Sequence, residues 1–252
     1  DPERAEWYAP TYHPLNDGQA RYAAEFGIDG TAIFRMTHGT VSTELTVFVP
    51  PEDPTGVYLL TIRNHGDRAR RMRIAPYFQI VLGFQPEQAG SLNVHYDPAL
   101  HALFFENSRN TFRSGWAFAA MSLPAERVET KRGRFFGTDR GVDRPYFVER
   151  GDADAAEVRD ERPIAAFLGT VEIPAHGEQT IAVILGQTET RAHAAKLIRT
   201  YQRVDTARAR LEQTKGWWLS LMGTLDVETN QPEFDRLQNW LKYQTLVERI
   251  WA

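Results

Sequence analysis

The feature that most constrains this chain is a strand, turn, strand pattern between Val41 and Asn64. Val41, Thr43, Leu45, Val47 and Val49 alternate with Ser42, Glu44, Thr46 and Phe48, the period of a half-buried strand. Pro50-Pro51-Glu52-Asp53-Pro54 stops it, because proline fixes its own φ, has no N–H for a ladder and biases the preceding residue to extended geometry. The chain resumes at Val57-Tyr58-Leu59-Leu60-Thr61-Ile62, apolar on both faces, which predicts a strand in the middle of its sheet. Asn64-His65-Gly66-Asp67 is the next turn. The pattern predicts a large antiparallel β assembly, with function on its surface or at its partners.

The same reading extends to either side. Residues 1–20, punctuated by Trp7, Tyr8, Tyr12 and three prolines, predict an extended segment lying over a sheet. Strands are expected at Arg21 to Phe26, Thr31 to Thr37, Ile74 to Leu82, Leu100 to Asn107, Gly115 to Ser122, Ala165 to Ile173 and Gln179 to Gly186. Pro86 to Asp97 and Ser108 to Ser114 read as loops. Arg68-Ala69-Arg70-Arg71-Met72-Arg73 is the densest basic cluster, either a grip for an anion or a turn feeding a strand with Arg71 and Arg73 on its wet face. Arg132 to Pro145 holds four arginines and three glycines and reads as a structureless, mobile span. Spans of that length inside a domain either bind something or are disordered.

At Thr190 the period changes. Thr190 is placed to cap a helix carrying Ala194, Leu197, Ile198 and Tyr201, and a second helix runs from Asp205 to Met222, with Leu211, Trp218, Leu221 and Met222 on one side and Gly223 as its stop. The tail is expected to pack on one sheet through Trp217 or Trp218. A third helix follows Pro232, with Asp235, Gln238, Lys242, Thr245 and Arg249 as a narrow polar stripe on an otherwise apolar circumference. A helix this apolar needs more protein to pack on than the preceding residues supply.

With 252 residues there is enough chain for one large β domain and an appendage. The aromatic content, 12%, suits either a sandwich core or sugar surfaces. A net charge of −4 with mixed signs offers no field for nucleic acid or an anionic membrane. Cysteine is absent, which excludes disulfides, thiolate nucleophiles and thiolate metal sites and fits the cytoplasm. No apolar run reaches the roughly 20 residues that span a bilayer. Among the seven histidines no pair has the helical spacing of a zinc site, so no metal is expected; His95 and His101 could meet across a turn as an epimerase needs, or be ordinary loop residues. No nucleophile elbow, phosphate loop or dinucleotide fingerprint occurs, and no carboxylate pair can be assigned as acid and base.

Several stretches converge on one family. Thr37-His38-Gly39, Leu45-Thr46-Val47-Phe48-Val49-Pro50, Leu60-Thr61-Ile62-Arg63-Asn64, Val81-Leu82-Gly83, Phe136-Gly137 and Gly169 resemble the β portion of glycoside hydrolase family 94. The resemblance is sharpest in Leu237-Gln238-Asn239-Trp240-Leu241-Lys242-Tyr243-Gln244-Thr245-Leu246 and Arg249-Ile250-Trp251-Ala252, and looks closest to the cyclic β-1,2-glucan synthases. It implies a mainly β, antiparallel super-sandwich similar to the galactose-mutarotase fold over 1–189, lacking its first strands, then linker helices over 190–224. Residues 225–252 would be the opening segment and first helix of an (α/α)6 barrel. The family's catalytic acid and phosphate-binding residues lie in that barrel, so no catalytic residue carries over and no cofactor is implied beyond inorganic phosphate as co-substrate of the parent. The implied role is a non-catalytic, carbohydrate-facing and assembly domain of an inverting β-glucan phosphorylase or cyclic glucan synthase. The alternative is a freestanding carbohydrate-binding or mutarotase-like module. Expected partners are a β-glucan or oligosaccharide, the barrel of the same parent chain and a second copy in a homodimer. Any attachment of the parent to the inner membrane would use other segments. Arg140 and Arg144 are the candidate sugar contacts, with Arg113 and Trp116 behind them.

Overall fold

The computed structural model describes residues 1–83, 92–109, 115–138, 140–152, 162–225 and 227–251. In chain order the elements are β1 Arg21–Phe26, β2 Thr31–His38, β3 Val41–Phe48, β4 Thr55–Asn64, β5 Arg70–Ile74, β6 Tyr77–Gln79, β7 Asn93–Asp97, β8 Ala102–Glu106, β9 Trp116–Met121 and β10 Arg127–Lys131. There follow α1 Arg132–Phe136, α2 Tyr146–Arg150, β11 Pro163–Ile173, β12 Glu178–Thr188, α3 Arg191–Tyr201, α4 Val204–Met222 and α5 Pro232–Trp251. Eight strands make one antiparallel sheet in the order β1-β2-β3-β4-β12-β9-β8-β7, and a smaller sheet runs β10-β11-β5 with β6 also on β11. β4 lies between β3 and β12, the interior place that its two apolar faces predict.

The two sheets bury a core of Val41, Ile62, Met72, Phe105, Met121 and Phe167 among others. The outer face of the large sheet carries Phe48, Val57, Phe104, Phe118 and Ile184, and α3 and α4 cover it with Leu197, Ile198, Tyr201 and Leu211. On the far side, α1 and α2 cover the smaller sheet: Phe135, Phe136 and Phe147 pack on Ile164, Ala166 and Leu168. β11 is therefore clad on both faces, which is why Pro163 through Leu168 are all buried.

Three expectations need correction, and one strand, β10, was not expected. The strand expected from Ile74 to Leu82 is interrupted at Ala75-Pro76, where proline has no N–H to donate, yet it keeps one register along β11, with Ile74 opposite Gly169 and Tyr77 opposite Ala166. The Pro76 carbonyl still accepts from the Phe167 amide at 3.3 Å. Asn93–Asp97, expected as loop, is the edge strand β7; its side chains are mostly exposed, so it lacks the apolar alternation that announces a strand. The rest of that expected loop, 86–91, lies outside the described residues. β10 went unannounced for the same reason, and its buried Glu129 accepts the amides of Thr130 and Lys131 at 2.8 Å beside a register shift. The expected structureless, mobile span begins instead with α1, whose Phe135 and Phe136 are buried, with Tyr77 4.9 Å from the Phe135 ring. The apolar anchors are few, but they share one aromatic cluster.

The helical tail follows its signals closely. The Thr190 hydroxyl accepts the His193 amide at 3.2 Å and caps α3. Tyr201 is fully buried and donates to Asp53 in the proline-rich turn at 2.5 Å, while the Gln202 amide donates to the Leu100 and Met121 carbonyls at 2.7 and 3.1 Å. Trp218, 2% exposed, lies over Gly30 in the β1–β2 turn, and its ring meets Tyr243 of α5 at 4.9 Å. Gly30 has φ +79, and a Cβ there would collide with the indole. Lys242 donates to the Met222 carbonyl at 2.7 Å and also to that of Leu225, satisfying acceptors at the end of α4.

The amino-terminal segment lies over the sheets as expected, held by a residue that the sequence pattern did not single out. Arg70, inside the basic cluster, is 5% exposed. Its guanidinium donates to Asp1 at 3.1 Å, Glu6 at 2.7 Å, Tyr8 at 3.2 Å and Thr40 at 2.7 Å. Arg71 and Arg73 take the wetter face. Burial, and next the hydrogen bond to the Glu6 carboxylate, push the Tyr8 hydroxyl up from 10.0 to about 12.

Two outcomes are expected from this packing. Trp218→Ala should lower the unfolding free energy by about 3 kcal/mol or more, lost transfer plus cavity, read as the midpoint of a denaturant titration; an unchanged midpoint would show that α4 does not depend on the β1–β2 turn. Because the folded Tyr8 holds its proton more tightly than the unfolded one, its contribution is intact below pH 10.0 and is lost as pH rises towards about 12. Thermal melts between those values should show a falling midpoint, with a shallower fall in Tyr8→Phe.

Candidate functional site

A groove of about 520 Å³ runs along the β5–β6 edge. Its floor on the large sheet is Val41, Thr43 and Leu45 from β3 with Tyr58, Leu60 and Ile62 from β4; Met72, Ile74 and Phe78 line it from the smaller sheet. Trp7 and Tyr8 of the amino-terminal segment wall one side, and Arg73, Tyr77, Val148 and Glu149 form the rim. Residues of both faces of β5 thus meet the groove, and no strand pairs with the outer edge of β5 and β6 among the described residues. The Thr43 hydroxyl is buried with no hydrogen-bond partner among the described residues, as is Nε of Arg70.

The rim is held by charge. Arg73 donates to the carbonyls of Val148 at 3.1 Å and Glu149 at 2.7 Å, which fixes the carboxyl end of α2. The Glu149 carboxylate is ion-paired with Arg140, whose guanidinium also sits 5.6 Å from the Tyr146 ring centroid. Of the sequence-predicted sugar contacts, Arg140 is therefore beside the groove, and Arg144 is exposed on the approach to α2. Trp116 is elsewhere. It starts β9, 6.5 Å from the Phe104 ring, and packs on the cluster covered by α3 and α4. Arg191 lies over both rings, 4.8 Å from Phe104 and 6.0 Å from Trp116, and is ion-paired with Asp97 at 3.1 Å. Arg140 and Trp116 belong to opposite outer layers, so they do not share one site. Arg113 lies outside the described residues.

Glu149, Tyr77 and the unpartnered Thr43 were missed by sequence reasoning. The only advance signal was the alternation placing Arg73 outward and Thr43 inward on their strands. His95 is exposed on β7, and His101 sits in the following turn at φ +46 with its ring nitrogen 3.5 Å from the Tyr96 hydroxyl. Neither makes an ion pair among the described residues, and these contain no cluster of three His, Asp or Glu suited to a metal. The groove offers an apolar floor, one hydroxyl without a partner among the described residues and a charged rim.

A second surface lies on α5. Phe234, Leu237 and Leu241 fall at successive helical turns and are 52%, 55% and 56% exposed. No helix among the described residues is long and apolar enough to cross a membrane.

Comparison with known proteins gives these surfaces a context. The chain is 21% identical to 3-O-β-D-glucopyranosyl-β-D-glucuronide phosphorylase of Paenibacillus borealis over 98% of its own length and 33% of that protein. It is 23% identical to solabiose phosphorylase of the same organism, again over 98% of this chain and 33% of the relative. With the cyclic β-(1,2)-glucan synthase NdvB of Rhizobium meliloti (strain 1021) the identity is 26% over 88% of this chain and 8% of the synthase. The chain thus spans about a third of the phosphorylases it resembles and a smaller share of the synthase. The domain family described as glycosyl hydrolase 94, supersandwich domain, matches residues 1–204, from the amino-terminal segment through β12 and α3 to the start of α4. The chain belongs to the glycosyl hydrolase 94 supersandwich family.

Proposed function

We propose that this chain is the non-catalytic, carbohydrate-facing and assembly domain of an inverting β-glucan phosphorylase or cyclic β-1,2-glucan synthase. Catalysis would belong to an (α/α)6 barrel in the same parent, with inorganic phosphate as co-substrate. The observation that carries this reading is the apolar stripe of Phe234, Leu237 and Leu241 on α5, left open while the opposite side of the helix is fixed to α4 through Tyr243 and Lys242. A helix anchored on one side and apolar on the other is built to be covered. The relatives' extra length supports the barrel as the cover.

The groove supports a second part of the assembly role. An extended strand laid along β5 and β6 would satisfy their unpaired backbone groups, put apolar side chains on Leu45 and Leu60, and bring a hydrogen-bonding group to Thr43. The carbohydrate-facing role rests on the rim, where Arg140 and the exposed Arg144 offer planar donors to vicinal hydroxyls. The mutarotase-like alternative draws no support from His95 and His101, which have no carboxylate partner among the described residues.

The purified chain should neither release glucose 1-phosphate from β-glucans and phosphate nor accelerate anomerisation of glucose. Phosphorolysis should require the barrel, and Leu237→Asp with Leu241→Asp should weaken association with it while leaving this chain's own melt intact. Anomerisation lost on changing His95 or His101 would overturn the assignment. In a protein that includes the barrel, Arg140→Ala should raise KM for the acceptor glucan severalfold with little change in kcat, as expected when binding that is equal in ground and transition states is removed. Unchanged kinetics in Arg140→Ala and Arg144→Ala would reduce the rim to ordinary surface.

A further inference from the structure

The turn from α3 into α4 holds a depression of about 320 Å³ lined by Lys196, Arg199, Thr200, Arg203 and Thr206. Three of the five lining residues are cations and none is an acid. Among the described residues no ion pair reaches Lys196, Arg199 or Arg203. Two arginines of the basic cluster that stands out in the sequence are, by contrast, already used: Arg70 holds Asp1 and Glu6, and Arg73 holds the end of α2. Like charges gathered in one concavity repel, and an anion relieves that cost.

The scaffold beneath these cations is rigid. Between Thr200 and Arg203 the chain is fixed by buried Tyr201 on Asp53 and by Gln202 on the carbonyls of Leu100 and Met121. The Thr200 hydroxyl donates to the Lys196 carbonyl at 3.0 Å, while the Thr206 hydroxyl has no partner among the described residues and can donate into the depression. Arg203 takes the position before α4 and provides no side-chain acceptor for the helix amides. The nearest acid in sequence, Asp205, is exposed and outside the lining. Two guanidinium groups, one ammonium and one hydroxyl are all donors, and guanidinium pairs match the oxygens of a tetrahedral oxyanion in geometry.

We propose that the α3–α4 depression binds a phosphate group, either inorganic phosphate or the phosphoryl end of a sugar phosphate. This site is separate from the groove and from the barrel assigned above.

The test is calorimetric titration of the purified chain with sodium phosphate and, separately, with α-D-glucose 1-phosphate, against sodium chloride at matched ionic strength. Both phosphates should bind saturably where chloride does not, and Arg199→Ala combined with Arg203→Ala should weaken each by about tenfold or more, the loss expected for a charge-assisted hydrogen bond. Equal affinity for the two would identify the phosphoryl group as the whole ligand; tighter glucose 1-phosphate would place the hexose in the depression too. The exposed arginines should leave the melt in chloride unchanged, which separates lost binding from lost folding. Absence of saturation with both phosphates, or saturation unaltered in the double variant, would overturn the proposal.

Discussion

The structure depends on one constraint: the middle of the eight-stranded sheet, β4, β12, β9 and β8, is apolar on both faces and must be covered twice. Alternation along β8 makes this plain, since Leu103 and Phe105 enter the inter-sheet core while Ala102 and Phe104 enter the helix-covered core. β9 divides in the same way, with Ala117, Ala119 and Met121 inward and Phe118 and Ala120 outward. A half-polar sheet could leave one face in water; this one cannot. The smaller sheet answers the inner face and α3 with α4 the outer one. The smaller sheet then exposes an apolar outer face of its own, and α1 and α2 close it with three phenylalanines. Each added layer is a consequence of the previous layer's uncovered side.

The polar contacts that fix these layers sit where connections cross them. Tyr201 joins α3 to the turn before β4 through Asp53, Gln202 joins the same helix end to the β7–β8 turn and the end of β9, and Arg70 joins the amino-terminal segment to β5. All three are buried or half-buried groups that bond across layers, although Nε of Arg70 keeps no partner among the described residues, so their bonds specify position as well as adding stability. Burial also pushes the Tyr201 hydroxyl upward, with the Asp53 carboxylate adding to the effect.

How much of this was legible from residues alone depended on burial pattern. β2, β3, β4, β9 and β12 carry apolar side chains at regular spacing, and the helices from Thr190 onward announce themselves by caps and period, so each was readable. β7 and β10 are edge strands with few apolar residues, and what makes them strands is pairing with β8 and β11, which no local window contains. α1 escaped because the Arg and Gly around Phe135 and Phe136 show no helical apolar period, and the phenylalanines find their place on residues distant in sequence such as Ile164 and Leu168. The candidate site was half legible. Arg140 stood out by composition, but its partner Glu149 and the groove beside it arise from long-range packing. Trp116, equally conspicuous, went to the opposite layer.

The mismatch between the two sheets shows where the molecule remains open. The smaller sheet has too few strands to roof the large sheet beyond β4, and the inner face of β1 to β3 is left with partial cover. Phe26 is 59% exposed, with the Phe34 ring 5.8 Å away, and Leu45 is part of the floor of the groove. Phe26 leads directly into the β1–β2 turn, on whose Gly30 Trp218 rests, and Trp218 in turn holds α5. Trp218 thus ties α5 to the end of the large sheet that carries Phe26. The contact between Trp218 and Gly30 ties the orientation of α5 to the sheet, and any protein that packs on the helix is placed by it relative to the groove and its charged rim.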